Sequence, residues 1–186
     1  MNQHITLALS SILMRTYLFL LRGINVGGKN ILPMRDLTSL LEANGYQNVK
    51  TYIQSGNVVL SGSKKPGEII SKAIESKFGF KPETMVLERS EFEKAIESNP
   101  FGPDEAKSIH IFFLSEVPKS PNIGKLVTLS SATEKYELNG KVFYLYAPDG
   151  IGRSRLVANL EKCMGVSATG RNFNTISKLM KIIKNA

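Results

Sequence analysis

A glycine-rich loop after the first predicted strand carries the residues with the clearest chemistry. Residues 22–30 contain three glycines, two cations and two asparagines. The backbone N–H groups of such a loop can converge with a positive charge on one point, which suits a phosphate or another anion. A glycine loop that only turns the chain from strand to helix is the alternative. The candidate anion-binding residues of this loop are Arg22, Gly23, Asn25, Gly27, Gly28, Lys29 and Asn30.

The loop nearly matches the P-loop of nucleotide-binding proteins, because Gly23 is followed after four residues by Gly28 and Lys29. Three features disagree with that motif. Asn30 stands where a Ser or Thr would bind magnesium, the next helix is predicted to start near Pro33, and no apolar strand ends in a plausible Asp ligand. The sequence therefore disfavours nucleotide hydrolysis at this loop.

Three further polar segments could contribute to the same site. Residues 149–155 connect a strand to a helix, and they place two arginines beside its first N–H groups, with Ser154 as N-cap. Residues 169–175 carry a third arginine and two asparagines at the start of the last helix, and the turn at 54–57 offers amide groups. A capped helix with solvated arginines and a polar hairpin turn are the alternatives. The additional candidate binding residues are Gln54, Ser55, Asn57, Arg153, Ser154, Arg171, Asn172 and Asn174.

Residue types that transfer protons or bind metals are scarce. His4 lies in the first residues and His110 lies in mid-strand between two isoleucines, where a packed or surface role is more usual than a base. Cys163 falls on the apolar stripe of a predicted helix and is expected to be a buried thiol. Neither Cys-x-x-Cys nor His-Glu-x-x-His occurs. We therefore expect no metal and no cofactor, and a chain better suited to binding than to catalysis.

The amino-acid composition limits the cellular compartments and the binding partners that can be expected. The chain has 186 residues and a formal net charge of +8, with one cysteine. It has no apolar run of membrane-spanning length, no basic leader with a cleavage signal, and no internal disulfide, so we expect a cytoplasmic protein without a membrane partner. Residues 150–186 hold seven cations and a single acidic residue, Glu161. This basic end permits a polyanionic partner.

The hydrophobic pattern predicts the element order β-α-β-β-α-β twice, which is the split β-α-β plan. We expect an α+β fold of two ferredoxin-like units in tandem plus a C-terminal helix. The predicted boundaries are an extension outside the fold at 1–13, units at 14–88 and 107–186, and a linker with a short helix at 89–106. Ser90 is the predicted N-cap of that short helix, and residues 154–164 are predicted as one continuous helix.

The RNA-recognition module is one ferredoxin-like fold, and it stacks bases on aromatic residues of its sheet. Tyr144 and Tyr146 share one face of a predicted strand and could stack bases. Covering the sheet or forming an interface is the alternative that we favour. The first unit offers no aromatic platform in its third strand.

Several blocks of sequence resemble a widespread bacterial family known as a domain of unknown function. They lie at residues 21–30, 51–58, 148–154 and 171–175, together with Asn-Pro-Phe at 99–101. The resemblance runs from Met14 to the C-terminus, implies two ferredoxin-like units, and brings no established activity. The chain departs from the family pattern at Phe173, where Trp is frequent, and at Gly170, where Ala is common.

From these observations we expect a cytoplasmic binding protein for a phosphate-bearing or other anionic ligand. The loops must then converge, with Arg22 facing Arg153 and Arg171 across one cleft. A nucleic-acid-binding module that uses the basic C-terminal end is one alternative. An enzyme on a small phosphorylated or nucleotide-like substrate, acting by electrostatic stabilisation, is another.

Overall fold

The computed structural model describes residues 13–102 and 106–185, so the extension predicted at 1–13 lies outside the described residues except for Leu13. Within the described chain, no helix has the length and apolar character needed to cross a membrane. The elements are β1 (Arg15–Arg22), α1 (Met34–Ala43), β2 (Gln47–Tyr52), β3 (Asn57–Gly62), α2 (Glu68–Phe78), β4 (Glu83–Glu88), α3 (Arg89–Glu97), β5 (Ile109–Leu114), α4 (Ile123–Leu129), β6 (Lys135–Asn139), β7 (Val142–Tyr146), α5 (Arg155–Ala158), α6 (Leu160–Met164), β8 (Ala168–Asn172) and α7 (Phe173–Lys184).

The strands form two four-stranded antiparallel sheets with the same order of strands. The first sheet has the order β2-β3-β1-β4 and the second has β6-β7-β5-β8. In each sheet the first and third strands of the unit lie in the centre, which is the split β-α-β arrangement. The predicted α+β fold of two tandem ferredoxin-like units with a C-terminal helix is confirmed.

In each unit, helices pack against one face of the sheet. In the first unit, alternate residues of β1, such as Tyr17 and Phe19, face α1 and α2. In the second unit, Phe112 and Leu145 face α4, α5 and α6. This separation follows from the alternation of side chains along a strand, which sends every second residue to the same face.

The opposite faces of the two sheets share a third core with α3 and α7. Leu18 and Val59 of the first sheet join Phe113 and Tyr144 of the second, and Phe92 of α3 lies among them. The central strands β1 and β5 are therefore covered on both faces. The sheet face that an RNA-recognition module offers to bases is interior in both units.

Two helix boundaries differ from the sequence prediction. The N-cap of α3 is Glu88 rather than Ser90, and the backbone N–H of Glu88 donates to Glu91 Oε2 at 2.7 Å, which closes a capping box. The helix predicted at 154–164 is two short helices separated at Asn159. The side chain of Asn159 donates to the backbone oxygen of Arg155 at 2.8 Å and so competes with the regular helical pattern.

Candidate functional site

A cavity of about 600 Å³ lies between the two units. The first unit contributes the end of β1 and the turn between β2 and β3. The second unit contributes α5, α6, β8 and the start of α7. We call it the inter-unit cavity. Its polar lining residues are Arg22, Ser55, His110, Glu161, Arg171, Asn172 and Thr175, and its larger apolar ones are Ile53, Phe112, Ile151, Val157 and Leu160.

Arg171 extends from β8 of the second unit to the first unit. Its Nε donates to Asn57 Oδ1 at 2.5 Å, and its Nη2 donates to the backbone oxygens of Leu21 at 3.0 Å and Ser55 at 3.4 Å. Its Nη1 donates to the oxygen of Gly170 at 2.8 Å. Burial lowers the pKa of Arg171 to about 10, so the guanidinium remains charged at neutral pH. All of these acceptors are neutral, and no carboxylate of the described chain forms an ion pair with it.

Asn57 is fully buried and holds Arg171 in place. Its Nδ2 donates to the backbone oxygen of Tyr52 and to Ser55 Oγ, both at 3.1 Å, while its Oδ1 accepts from Arg171. The amide therefore fixes the turn and orients the arginine. Both polar side-chain atoms of this predicted binding residue are bonded within the protein.

A second link between the units joins Arg22 to Glu161. Both terminal nitrogens of Arg22 donate to the carboxylate, the Nη2–Oε2 bond being 3.0 Å. Nη1 also contacts the backbone oxygen of Ala168 and Glu83 Oε2, each at 3.1 Å. The hydrogen bond from Arg22 holds the pKa of Glu161 below its ordinary value, and the same bond raises the pKa of Arg22. Arg22 thus lines the cavity with its charge already balanced.

The rest of the glycine loop forms a miniature hairpin outside the cavity. Val26 and Lys29 form an isolated β-bridge, and both Gly27 and Gly28 have positive φ, as a type I′ turn requires. The N–H groups of Asn25 and Lys29 donate to backbone oxygens of the same loop at 3.0 Å. These bonds use donors that an anion-binding loop would have presented to a ligand.

The side-chain amides of the two asparagines in the loop donate hydrogen bonds that stabilise its conformation. Asn25 Nδ2 donates to the oxygens of Leu32 and Gln54, both at 2.9 Å, and Asn30 Nδ2 donates to that of Gly23 at 2.8 Å. Of the predicted loop residues, Arg22 alone is among those that line the inter-unit cavity. Gln54, whose oxygen accepts from Asn25, is exposed and is not among them.

The loop at 149–155 divides between two cavities. Ile151 lines the inter-unit cavity, whereas Arg153, Ser154 and Arg155 line another of about 380 Å³. In that second cavity Ser154 Oγ donates to Glu134 Oε1 at 2.5 Å and caps α5. Of the residues predicted to converge, Arg22, Ser55 and Arg171 border the inter-unit cavity, whereas Arg153 borders a separate one.

The amino end of α7 borders the inter-unit cavity beside Arg171. Asn172 is the N-cap, and its Oδ1 accepts from the N–H of Thr175 at 2.8 Å. A helix amino end carries a partial positive charge, which adds to that of the arginine. Asn174, the remaining predicted residue of this segment, is exposed and is not among the lining residues.

Two lining residues with ionisable side chains, His110 and Glu161, were not among the site residues predicted from the sequence. His110 pairs with Asn172 in the β5–β8 ladder, and burial lowers its pKa, which keeps the imidazole neutral at pH 7. Glu161 forms the ion pair with Arg22. A signal for Glu161 was available, because it is the single acidic residue of the basic C-terminal end.

The tyrosine pair does not form a platform for bases. Tyr144 is 1% exposed, and its hydroxyl donates to the backbone oxygen of Ala95 at 2.8 Å. The ring of Tyr146 lies 6.0 Å from that of Phe101 and 5.9 Å from Lys135 Nζ. Tyr144 covers the sheet, as the favoured alternative predicted.

The chain is similar to proteins whose function is unknown. The model of a family described as "Protein of unknown function (DUF1697)" matches residues 14–144, and no curated protein is similar in sequence. The conserved bacterial protein SP0830 from Streptococcus pneumoniae shares the fold, with a TM-score of 0.62, 22% identity, and coverage of 91% of this chain and 99% of that one. An unknown protein from Galdieria sulphuraria aligns with a TM-score of 0.25 and 14% identity over 86% of this chain and 98% of that one.

Proposed function

Given that the chain belongs to the DUF1697 family of proteins of unknown function, we propose that it binds a small anionic ligand in the inter-unit cavity. The ligand carries a phosphate or a carboxylate group. We further propose that the protein acts in the cytoplasm, because its single cysteine, Cys163, is a buried free thiol, as is usual in a reducing compartment.

The charge of Arg171 is the observation that carries this proposal. Desolvating a guanidinium is costly unless an opposite charge compensates it. Among the described residues, the partners of Arg171 are an amide oxygen and three backbone oxygens, none of which is charged. An anion in the cavity would supply the missing charge, and charge-assisted bonds of this kind are roughly twice as strong as neutral ones.

The surroundings of Arg171 favour an anion as well. The cavity lining contains two arginines and one carboxylate, and that carboxylate is already paired with Arg22. Ser55 and Thr175 add hydroxyl groups, and the amino end of α7 adds a partial positive charge. The volume of about 600 Å³ is within the usual range for small-molecule sites.

Calorimetric titration and thermal shift with inorganic phosphate and phenyl phosphate test the proposal. A ligand at about 100 times its Kd is expected to stabilise the native protein by about 2.7 kcal/mol. Arg171→Met is expected to abolish this effect, and Arg171→Lys, which keeps the charge but loses the planar fork, to reduce it.

Arg153→Met is the matched control, since it removes the same charge from an exposed arginine outside the inter-unit cavity. It is expected to bind like the native protein. Equal weakening in Arg153→Met and Arg171→Met would show that only overall charge matters, which would contradict the proposed site.

A nucleic-acid-binding role is a second candidate, carried by the exposed lysines of α7. Lys178, Lys181 and Lys184 are solvent-exposed and lie on a helix whose opposite side packs into the shared core. Binding to phosphate backbones predicts an affinity that falls steeply with salt. Substitution of the three lysines by glutamine would weaken binding of a short oligonucleotide, whereas Arg171→Met would leave it unchanged.

A catalytic role is a third candidate, carried by His110. A neutral imidazole near an arginine can act as a general base in the hydrolysis of a phosphate ester. Release of phosphate from phenyl phosphate, lost in His110→Gln, would support this role. Binding of phenyl phosphate without its hydrolysis would contradict the catalytic role and favour the binding role.

A further inference from the structure

Ile53, at the inter-unit cavity, has a backbone conformation that its side chain disfavours. Its φ is 52°, in the left-handed region, which a β-branched residue enters only at an energetic cost. Every other described residue with a positive φ is glycine or asparagine, the types that tolerate this region. Folding alone would therefore favour Gly or Asn at this position.

The turn is held in this conformation by bonds on both sides of Ile53. The oxygen of Tyr52 accepts from Asn57 Nδ2 at 3.1 Å, and the oxygen of Gln54 accepts from Asn25 Nδ2 at 2.9 Å. Strained residues persist when the surrounding structure fixes them in this way, and they are frequent at ligand sites.

Ile53 gains little from burial in return for this strain. Its exposed fraction is 51%, and it belongs to none of the three hydrophobic cores of the described chain. Its side chain instead lines the inter-unit cavity. The stability of the fold therefore does not explain why a strained, half-exposed isoleucine stands at this position.

The cavity offers a set of apolar side chains for Ile53 to act with. Phe112 and Leu160 are buried, and Ile151 and Val157 are partly buried. We call these four residues, together with Ile53, the apolar wall. It draws on both units, and the same cavity contains the cationic group around Arg171. A bare inorganic anion would leave the apolar wall unused.

On the basis of the anion-binding role proposed above, we infer that the ligand is amphipathic. It combines a phosphate or carboxylate group, recognised by Arg171, with an aromatic or branched aliphatic group that contacts the apolar wall. Ile53 is then a specificity-determining residue, because it adds apolar contact area to the ligand at the open side of the wall.

Two pairs of probes with equal charge test this inference on the full chain by calorimetry. Phenyl phosphate is compared with glycerol 3-phosphate, and benzoate with lactate, so that the two pairs also distinguish phosphate from carboxylate recognition. The aromatic member of at least one pair is expected to bind about tenfold more tightly than its polar partner.

Ile53→Asn separates the contribution of the side chain from that of the fold. It is expected to lower the affinity for the aromatic probe about tenfold and to change the affinity for the polar probe by less than about twofold. Because asparagine tolerates a positive φ, the same variant is expected to raise Tm by about 2–4 °C. Ile31→Asn is the control, since Ile31 is a loop isoleucine with 56% exposure that is not among the cavity-lining residues; it should leave all four affinities unchanged.

The possible outcomes distinguish the two proposals. Equal affinities within both pairs would overturn the amphipathic ligand and leave the anion site standing. Failure of all four probes to bind would overturn both. A lower Tm for Ile53→Asn would show that the isoleucine serves the fold, which also overturns its assignment to specificity.

Discussion

Arg171 of the second unit donates a 2.5 Å hydrogen bond to Asn57 of the first. These residues are separated by 114 positions in the sequence, and their bond lies where the two sheets approach each other. The side chain that we propose for ligand binding is therefore also one that joins the units. Any ligand that binds Arg171 should stabilise their association, because binding to the native state shifts the folding equilibrium.

Removing the amide of Asn57 is expected to destabilise the protein strongly. Asn57→Ala leaves Arg171 without its closest acceptor, and the oxygen of Tyr52 loses its donor from Asn57. Buried groups left unpaired cost about 1–3 kcal/mol each, and charged ones more, so we expect a loss of about 3 kcal/mol in the free energy of unfolding. Urea denaturation measures it. Asn174→Ala, at an exposed position of α7, is the control and should cost less than about 0.5 kcal/mol. An equally small loss in the free energy of unfolding for Asn57→Ala would contradict the role of Asn57 in holding Arg171 and the turn.

Glu161 is expected to make stability sensitive to acid. Its folded pKa is lowered from the ordinary 4.5, mainly by the hydrogen bond from Arg22. A carboxyl with a lowered folded pKa contributes stability that is fully present above its unfolded pKa and is lost as pH falls through the folded one. The free energy of unfolding should therefore decline below about pH 4.5, and this decline should be shallower in Glu161→Gln. Glu42→Gln, an exposed acid on α1, serves as the reference; identical acid profiles for the two variants would count against the ion pair.

Protonation of His110 is expected to change the free energy of unfolding over a higher pH range than protonation of Glu161. Burial lowers its folded pKa from the ordinary 6.5, so the unfolded chain takes up the proton first. The stability that neutral His110 contributes is present above the unfolded pKa and is lost as pH falls from about 6.5 towards the folded pKa. His110→Gln should remove this part of the pH dependence and leave the decline below pH 4.5 intact. An unchanged profile between pH 7 and 5 would contradict the assignment.

Gly56 is expected to tolerate no larger residue. Its φ is 80°, and a Cβ atom there would lie 2.8 Å from Leu21 Cβ and 3.2 Å from the oxygen of Leu21. Gly56→Ala should therefore cost about 2 kcal/mol or more, from backbone strain together with steric contact. Gly152→Ala is the matched control, because its φ is not in the left-handed region and an added Cβ meets nothing within 4 Å. Equal urea midpoints for the two variants would show that the turn adjusts freely.

The sequence predicted the fold better than the site, and the reason is the range of the interactions involved. Strand alternation and helix stripes are local signals, and they were enough to recover both ferredoxin-like units. The site depends instead on pairs such as Arg22 with Glu161, which are 139 positions apart. The sequence identified the arginines as chemically unusual, but their partners follow from the docking of the two units, for which no local pattern exists.

The prediction for the glycine loop illustrates the same limit on a smaller scale. Its glycines and asparagines were expected either to present N–H groups to an anion or only to turn the chain from strand to helix. The competing possibility, that these groups bond to one another, depends on where the chain goes after Asn30. The N–H groups and amides close a hairpin and tie it to the turn at 54–57, so the composition that suits an anion also suits a self-bonded loop.

The core shared by the two sheets has a consequence for cooperativity. Cutting the chain between the units would expose Leu18, Leu20, Val59, Ile111 and Phe113, each at most 1% exposed in the intact protein. We therefore expect the two halves to unfold together as a single thermodynamic unit. Calorimetry should record one melting transition, and a fragment that ends at residue 102 should not melt cooperatively alone.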